Sequence, residues 1–454
     1  MISGNPPTSS TLTDSLGTTE RRLKIWFTEI GEPLPLEADV RLHRYGNLTQ
    51  SLSRAGHDVT WWTSNFTHAA KRFVVDSDHV GEFNGVTLRI LKGPGYRKNI
   101  SPARFRHQAH FARRFYDAAQ QMTPPDILIS PIPTLEAAEL AVRYGKEKGI
   151  PVLTDIRDEW PEDFVRLAPK FARCAARLAL HFYFKKVKYI CKNATGILGI
   201  SQRQLNYGLN FSKRQQGPND GIFPLGYNTR QIDPAKVHEA SGWWRQHGVT
   251  GDKFTLVFFG TIGPFFNLGT VIEAARKLSA EIPLQFVFCG HGSRLDRYRT
   301  EAKDLPNIIF PGWVNEPQIA SLMKMAKVGL APYASDAQSM SLPNKPFEYF
   351  AGSLPVISSI KGELSKYIAD HDCGRTYEAD SVESLCTAIR ELYHKPDVRE
   401  QMGSRANRLL NEQFTTEIIF DHLNRHLINV VERFKNQKPS VSVRKVPFPV
   451  QVDA

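Results

Sequence analysis

Lys345 and Glu348 stand three residues apart in SLPNKPFEYFAGSLPVIS (341–358), which puts a cation and a carboxylate on one helical turn. Pro343 and Pro346 bracket Asn344 and Lys345. Proline is tolerated in a first turn, where its missing N–H would be unbonded anyway. The pattern predicts a helix with Asn344 as N-cap, a break near GSLP, and a short buried strand at PVISS. Lys345 then sits where unpaired backbone N–H groups and the helix dipole already favour an anion. Glu348 suits a pair of hydroxyls, because a carboxylate accepts two hydrogen bonds at once. An anion beside a diol describes a nucleotide diphosphate next to its ribose. A plain surface Lys–Glu pair, worth a few tenths of a kcal/mol, explains this one stretch equally well.

Other groups of residues bear on the same chemistry. FFGTIG (258–263) and CGHGS (289–293) are glycine turns that let backbone N–H groups approach a phosphate with no Cβ in the way. Each alone is a weak signal, and neither completes G-x-G-x-x-G, which disfavours a nicotinamide cofactor. DIRDEWPEDF (155–164) gathers five carboxylates around Arg157 and Trp160. Asp158 is the candidate there for touching sugar or acceptor hydroxyls, or for accepting the acceptor's proton. The competing reading is a solvated acidic loop with Arg157 paired internally. Asp76 and Asp78 spell D-x-D in a loop after the second strand, but no metal is expected there or elsewhere. Residues 171–192 hold six Lys/Arg and no acid. Read as one helix, Arg173, Arg177, His181, Lys185, Lys188 and Lys192 share a stripe of roughly 120°, at ~100° per residue. A basic amphipathic helix reads as a membrane-surface element, against an ordinary solvated face. ARFRHQAHFARRFY (103–116) adds a second basic, aromatic segment to the same half.

The elements that position these residues alternate. LKIWFTEIG, HDVTWWTS, GVTLRIL, PDILISP, PVLTDI and TGILGIS read as strands between helical stretches. After FPLGYNTRQIDP (223–234) the pattern restarts with FTLVFFGTIG, LQFVFCGHGS, NIIFPGW, VGLAPY and PVISS. Strands alternating with helices indicate parallel sheets covered on both faces, so the expected class is α/β with two doubly wound domains. The expected division is a disordered leader over 1–21, an acceptor-binding domain over 22–226, a donor-binding domain over 227–414, a helix over 415–434 packing back on the first domain, and an irregular tail over 435–454. In such sheets ligands bind beyond the carboxyl ends of the strands, and the flagged loops all lie there.

With 454 residues, 41% of them hydrophobic, the chain is long enough for two cores. No stretch approaches the ~20 apolar residues of a membrane span, and no secretory signal is evident. Five scattered cysteines without CxxC spacing argue against a disulfide framework or zinc site and for a reduced cytoplasm. The net charge of +12 calls for an anionic partner. Without a zinc finger, RNP-like strand or basic arm, nucleic acid is the weakest choice beside anionic lipid and phosphorylated small molecules.

In order, FGTIG, FCGHG, NIIFPGWV, VGLAPY and SLPNKPFEYFAGSLPVI resemble the donor domain of family-4 glycosyltransferases with the GT-B fold. The first half is similar too, with a glycine after strand 1, Arg44 on the first helix, AGHDVT, DIRDEWPE, GILGIS and FPLGYN. The resemblance covers about 22–433, and the nearest subgroup transfers sugars to lipid-linked precursors of bacterial polysaccharides. It implies that Gly260, Thr261 and Gly263 face the donor diphosphate and that Gly290 and Gly292 shape the nucleotide pocket. Trp313 and Val314 would border the base, Asn344 and Lys345 the diphosphate, and Glu348 the ribose. Lys345 would stabilise the leaving group, while Gly31, Glu32, Arg44, Arg157 and Asp158 would face acceptor or sugar. The chain departs from the family pattern at Met340, where a second glutamate is usual, in GTIGPFFNL, which has no basic side chain, and in AGSLPV for the usual AAGLPV. The expected activity is retaining, metal-independent transfer from a UDP-sugar to a lipid-linked saccharide at the inner face of the cell membrane. Arg173, Arg177, Lys185 and Lys188 would provide the membrane contact. A nucleotide-sugar 2-epimerase of the same fold and a non-catalytic nucleotide-sugar binder are the alternatives.

Overall fold

The computed structural model describes residues 21–36, 40, 42–228, 232–335 and 342–437. Most of the expected leader and tail, and Met340, lie outside the described residues.

Two sheets carry the chain. The first contains β1 (Lys24–Thr28), β2 (Asp58–Ser64), β5 (His79–Phe83), β6 (Val86–Leu91), β7 (Ile127–Ile132), β8 (Val152–Ile156), β9 (Gly196–Gly199) and β10 (Gly221–Ile222). Its order is β10-β9-β8-β7-β1-β2-β6-β5, parallel except for the β5–β6 pair. A two-stranded ribbon, β3 (Phe66–Thr67) with β4 (Arg72–Phe73), follows β2. The second sheet holds β11 (Phe254–Phe259), β12 (Leu284–Cys289), β13 (Ile308–Gly312), β14 (Val328–Ala331), β15 (Val356–Ser358) and β16 (Gly374–Thr376). Its order is β13-β12-β11-β14-β15-β16, wholly parallel.

The reason is visible in the strands themselves. ILISPI, FTLVFF and LQFVFC are buried along their whole length, as strands covered on both faces must be. Each sheet accordingly has an apolar cluster on either side. Phe115, Ala138 and Ile190 cover one face of the first sheet, Leu48, Leu52 and Leu427 the other. The sequence reading missed the edge strand β5. Its signal was Asn84–Gly85, both at positive φ (48° and 77°), the two-residue turn that joins β5 to β6.

The chain passes between the sheets twice, and the two crossings touch. Tyr227 N donates to Phe414 O at 2.8 Å and Thr416 N to Tyr227 O at 3.1 Å. The helix Thr416–Gln437 then lies on the first sheet's side, where Leu423, Leu427 and Val430 join the cluster containing Ile25 and Leu48. Asn424 Oδ1 meets His57 Nε2 at 2.7 Å in that interior.

Candidate active site

The carboxyl ends of β11, β12 and β13 form the edge that carries the glycine turns. Gly260 follows β11, Gly290 follows β12, and Trp313 follows β13. Hydrogen bonds stitch these loops together beyond the strands: Gly260 N to Cys289 O (2.9 Å), Ile262 N to His291 O (2.9 Å) and Gly290 N to Gly312 O (2.7 Å). A Cβ on Gly290, at φ +135°, would collide with the carbonyl oxygen of Gly260, and one on Gly292 with that of Ile262. This corrects one reading of the glycines. They let two loops approach each other, and the N–H groups of Gly260, Ile262 and Gly290 are already spent on that contact. Gly263 N is turned back to Thr261 O at 3.1 Å. Thr261 is exposed, and its N–H has no partner among the described residues, so it is a backbone donor this loop offers.

The helix Lys345–Ala351 brings the cation to the same place. Lys345 Nζ donates to the carbonyl oxygen of Phe259, the last residue of β11, and lies 4.7 Å and 4.8 Å from the ring centres of Phe258 and Phe266. A side chain on Gly260 would strike this ammonium group, so the glycine makes room for the lysine. Burial pushes the Lys345 ammonium down to about 8, with the Glu348 carboxylate one turn on working the other way. Asn344 occupies the N-cap position in a helical conformation and makes no side-chain cap, contrary to its expected role, because Pro343 and Pro346 already set the turn.

Tyr349, which the sequence reading passed over, anchors this helix. Its hydroxyl donates to Leu330 O at 2.8 Å and accepts from Phe259 N at 3.4 Å, and its ring fills the space left by Gly329. Trp313 is 70% exposed beside this edge, its N–H 3.3 Å from His291 Nε2, while Val314 is buried.

The first sheet's edge is built differently, from interlocked charges. Arg157 lies 3.0 Å from Glu32 Oε1 and 3.7 Å from Glu29 Oε1, over the ring of Tyr45. Glu32 Oε2 accepts the N–H groups of Tyr45 and Gly46 (2.8 and 3.2 Å), which caps the helix Arg44–Arg54. Arg44 is buried, 3.4 Å from Asp155 Oδ2, and donates to Pro224 O at 2.6 Å. Tyr45 donates to Asp155 at 2.5 Å.

Arg157 and Glu32 hold each other, and Arg44 is held by Asp155 and Pro224 O, so these side chains are engaged within the protein behind Gly31. Asp158 differs: it reaches solvent, and partial loss of water around it raises its carboxyl, with Arg157 pulling the other way. Glu29 was not singled out from the sequence. Burial pushes its carboxyl up to about 8 against the pull of Arg157, and its Oε2 has no partner.

The basic segment at 171–192 is not one helix. It divides into Lys170–Ala172, Arg173–Ala179 and His181–Asn193, with Leu180 between the last two, so the single stripe does not form. Arg177 donates to Glu162 at 2.6 Å, Lys186 is paired with Glu139, and Arg173 leans on backbone carbonyls, whereas Lys185 and Lys188 are exposed. What stands out instead is apolar: Phe171 is 91% exposed, Leu178 77% and Phe182 63%. The helix Arg173–Ala179 buries none of its residues. No described helix is long and apolar enough to cross a membrane. Of the D-x-D pair, Asp78 accepts both Arg114 Nη1 (2.7 Å) and Nη2 (2.6 Å), and Lys92 N at 2.8 Å, so its carboxylate is already satisfied.

Comparison with known proteins fits this geometry. Residues 243–409 match the family model of the glycosyl transferases group 1. No curated protein matches the chain. Among solved structures it is similar to sucrose-phosphate synthase from Thermosynechococcus elongatus (TM-score 0.65, 17% identity, 91% of this chain and 100% of that one). Anabaena HepE in complex with UDP gives a TM-score of 0.62 at 13% identity, over 89% and 100% of the two chains. WaaG, a glycosyltransferase involved in lipopolysaccharide biosynthesis, gives 0.57 at 14% identity, over 89% and 99%. At such identities the likeness speaks for the fold. The chain thus has the GT-B fold, and its residues 243–409 match the glycosyl transferases group 1.

Proposed function

We propose that this glycosyltransferase belongs with family 4, takes a UDP-sugar, and passes the sugar with retention to a hydroxyl of a lipid-linked saccharide in bacterial cell-surface polysaccharide synthesis. It needs no metal and works in the cytoplasm, against the inner face of the cell membrane. The observation that carries the donor half is the delivery of Lys345 past Gly260 to the end of β11, one turn from Glu348. When the glycosidic bond breaks, negative charge develops on the leaving diphosphate. A preformed cation and an open backbone N–H at Thr261 stabilise that charge without rearrangement. Glu348 takes the ribose hydroxyls and Trp313 borders the base. The base is read as uracil because HepE is bound to UDP.

On the other side of the cleft, Asp158 faces the acceptor, next in the chain to Arg157, which Glu32 holds. The lipid-linked acceptor draws support from WaaG's part in lipopolysaccharide biosynthesis. The exposed Phe171, Leu178 and Phe182 beside Lys185 and Lys188 support the membrane face: apolar groups that enter the lipid boundary and cations that meet its anionic headgroups. Metal independence is supported by Asp78, whose oxygens are taken by Arg114.

A thermal-shift screen of nucleotide sugars tests the reading, since a ligand at 100 times its dissociation constant adds about 2.7 kcal/mol of stability. A UDP-sugar is expected to raise the Tm, and transfer to a lipid-linked acceptor is expected to survive EDTA. Loss of transfer on chelation, restored by magnesium or manganese, would contradict the metal-free part.

A further inference from the structure

The two domains also meet away from the chain crossings. The helix Gln202–Ser212 follows β9 in the first domain, and the helix Glu363–Asp370 follows β15 in the second, so both start at carboxyl edges that face the cleft. Gln202 N donates to Glu363 Oε1, joining residues 161 positions apart. Burial raises the Glu363 carboxyl, while the Gln202 N–H, the Ser201 hydroxyl and the Arg203 N–H pull it down. A carboxylate of one domain thus caps a helix of the other.

The sequence of that helix does not call for outside help. SQRQ (201–204) spells a capping box, in which the Ser201 hydroxyl oxygen would accept the Gln204 N–H. Ser201 has the extended backbone of an N-cap, yet its side chain makes no cap bond. Its hydroxyl instead donates to Gln204 Oε1. The internal cap is set aside for the external one. The helix start therefore has two ways to be capped, and only one of them needs the second domain.

Glu363 is also tied to the place where the chain crosses. Tyr367, four residues on and so on the same face of its helix, has its ring centre 5.1 Å from that of Phe414. The Phe414 carbonyl accepts Tyr227 N at the crossing. One short helix thus reaches from the crossing to the helix start in the first domain. At the Glu363 carboxyl, burial outweighs the three hydrogen bonds, so the contact gains little net energy, as suits one that is made and released.

We propose that Glu363 is a positioning residue for sugar transfer, a latch that holds the cleft closed by capping the helix Gln202–Ser212 and that gives way on opening to the Ser201–Gln204 cap. It rests on the reading of the cleft as the transfer site, because the spacing it holds is that between the Lys345 and Asp158 edges. Rotation about the crossings carries Glu363, with its helix, away from Gln202. Either state leaves the helix capped. The cleft can then admit and release its ligands without fraying the end of a helix.

Small-angle X-ray scattering of the unliganded protein tests this, with one variant on each side of the contact. Glu363→Ala removes the acceptor. Gln202→Pro removes the donor at the first helical position, where proline is favoured and the extended Ser201 before it is compatible, so the helix itself is kept. Each is expected to raise the radius of gyration with circular dichroism unchanged, and the double variant to open no further than either single one. Glu363→Gln keeps an acceptor oxygen and is expected to stay as compact as the parent. The parent's profile in Glu363→Ala and Gln202→Pro, a change in only one of them, summed opening in the double variant, or equal opening by Glu363→Gln overturns the latch. No ligand takes part, so the result stands whether or not UDP binds, and failure of the parent to bind UDP counts against the donor reading alone.

Discussion

The two edges that face the cleft solve their positioning problem in opposite ways. On the second domain the backbone does it: Gly260, Gly290 and Gly292 let the loops after β11 and β12 lie in contact, and one lysine passes through the gap. On the first domain side chains do it: Glu29, Glu32, Arg44, Tyr45, Asp155 and Arg157 lock together from three separate stretches. The backbone contacts of the first solution carry no titrating group but tolerate no extra atom. The second tolerates substitution of shape but depends on which groups carry protons.

The largest effect should come from breaking the backbone solution. Gly290→Ala places a Cβ against the carbonyl of Gly260 at a φ that side chains rarely adopt. Overpacking and left-handed strain together should cost about 3–5 kcal/mol, read as a lower denaturant midpoint and lost nucleotide binding. A variant as stable as the parent would show that the two loops do not depend on each other.

Two buried groups then sharpen the contrast through pH. The folded pKa of Lys345 lies below its unfolded value of 10.5, so its penalty is present below about 8 and fades as pH rises toward 10.5. Lys345→Met should therefore stabilise the unliganded protein at pH 7, by about 3.5 kcal/mol at ~1.4 kcal/mol per pKa unit, while abolishing turnover. That gain should shrink above pH 8. Glu29 has the opposite sign. Its folded pKa is raised from 4.5 to about 8, so its protonated form supports the fold at low pH, and stability falls as pH rises through that window. Glu29→Gln should match the parent near pH 5 and exceed it near pH 8. Denaturant melts of both variants across pH 5–10 check the two slopes, and slopes of the same sign would erase the distinction between the edges.

A smaller effect concerns the first domain's surface. Replacing Arg173, Arg177, Lys185 and Lys188 with glutamine should release the protein from anionic vesicles, at about 1 kcal/mol per exposed charge. Arg177 should contribute least, because Glu162 already neutralises it. Phe171→Ser with Phe182→Ser should weaken binding even at high salt, where charge is screened. Unchanged sedimentation with vesicles in both variants would leave the patch a solvated face.

These contrasts also explain what the sequence could show. The parts of the second sheet's edge could be picked out because they are local: a proline-bracketed Lys345 three residues before Glu348, and glycines directly after apolar runs. The alternation of strands and helices likewise announced two doubly wound sheets. The first sheet's edge was not legible, because its partners are remote. Arg157 meets Glu32 across 125 positions and Tyr45 meets Asp155 across 110. No spacing rule couples such pairs, so Glu29 passed unnoticed, and nothing local showed that Arg44 is held by Asp155 and Glu32 by Arg157. The basic stripe at 171–192 failed for a local reason: a wheel drawn over a continuous helix loses its phase at Leu180, where the backbone breaks. Even the glycines were half read, as openings for a phosphate where the structure uses most of them to pack one loop on another.

The central claim is that Glu348 and Lys345 form the nucleotide site, and UDP calorimetry on Glu348→Ala tests it most directly. A charged acceptor lost from two ribose hydroxyls should cost ~1.5–3 kcal/mol, roughly a ten- to 150-fold weaker affinity, with circular dichroism and melting unchanged. UDP affinity equal to the parent's in a correctly folded Glu348→Ala protein would contradict the account.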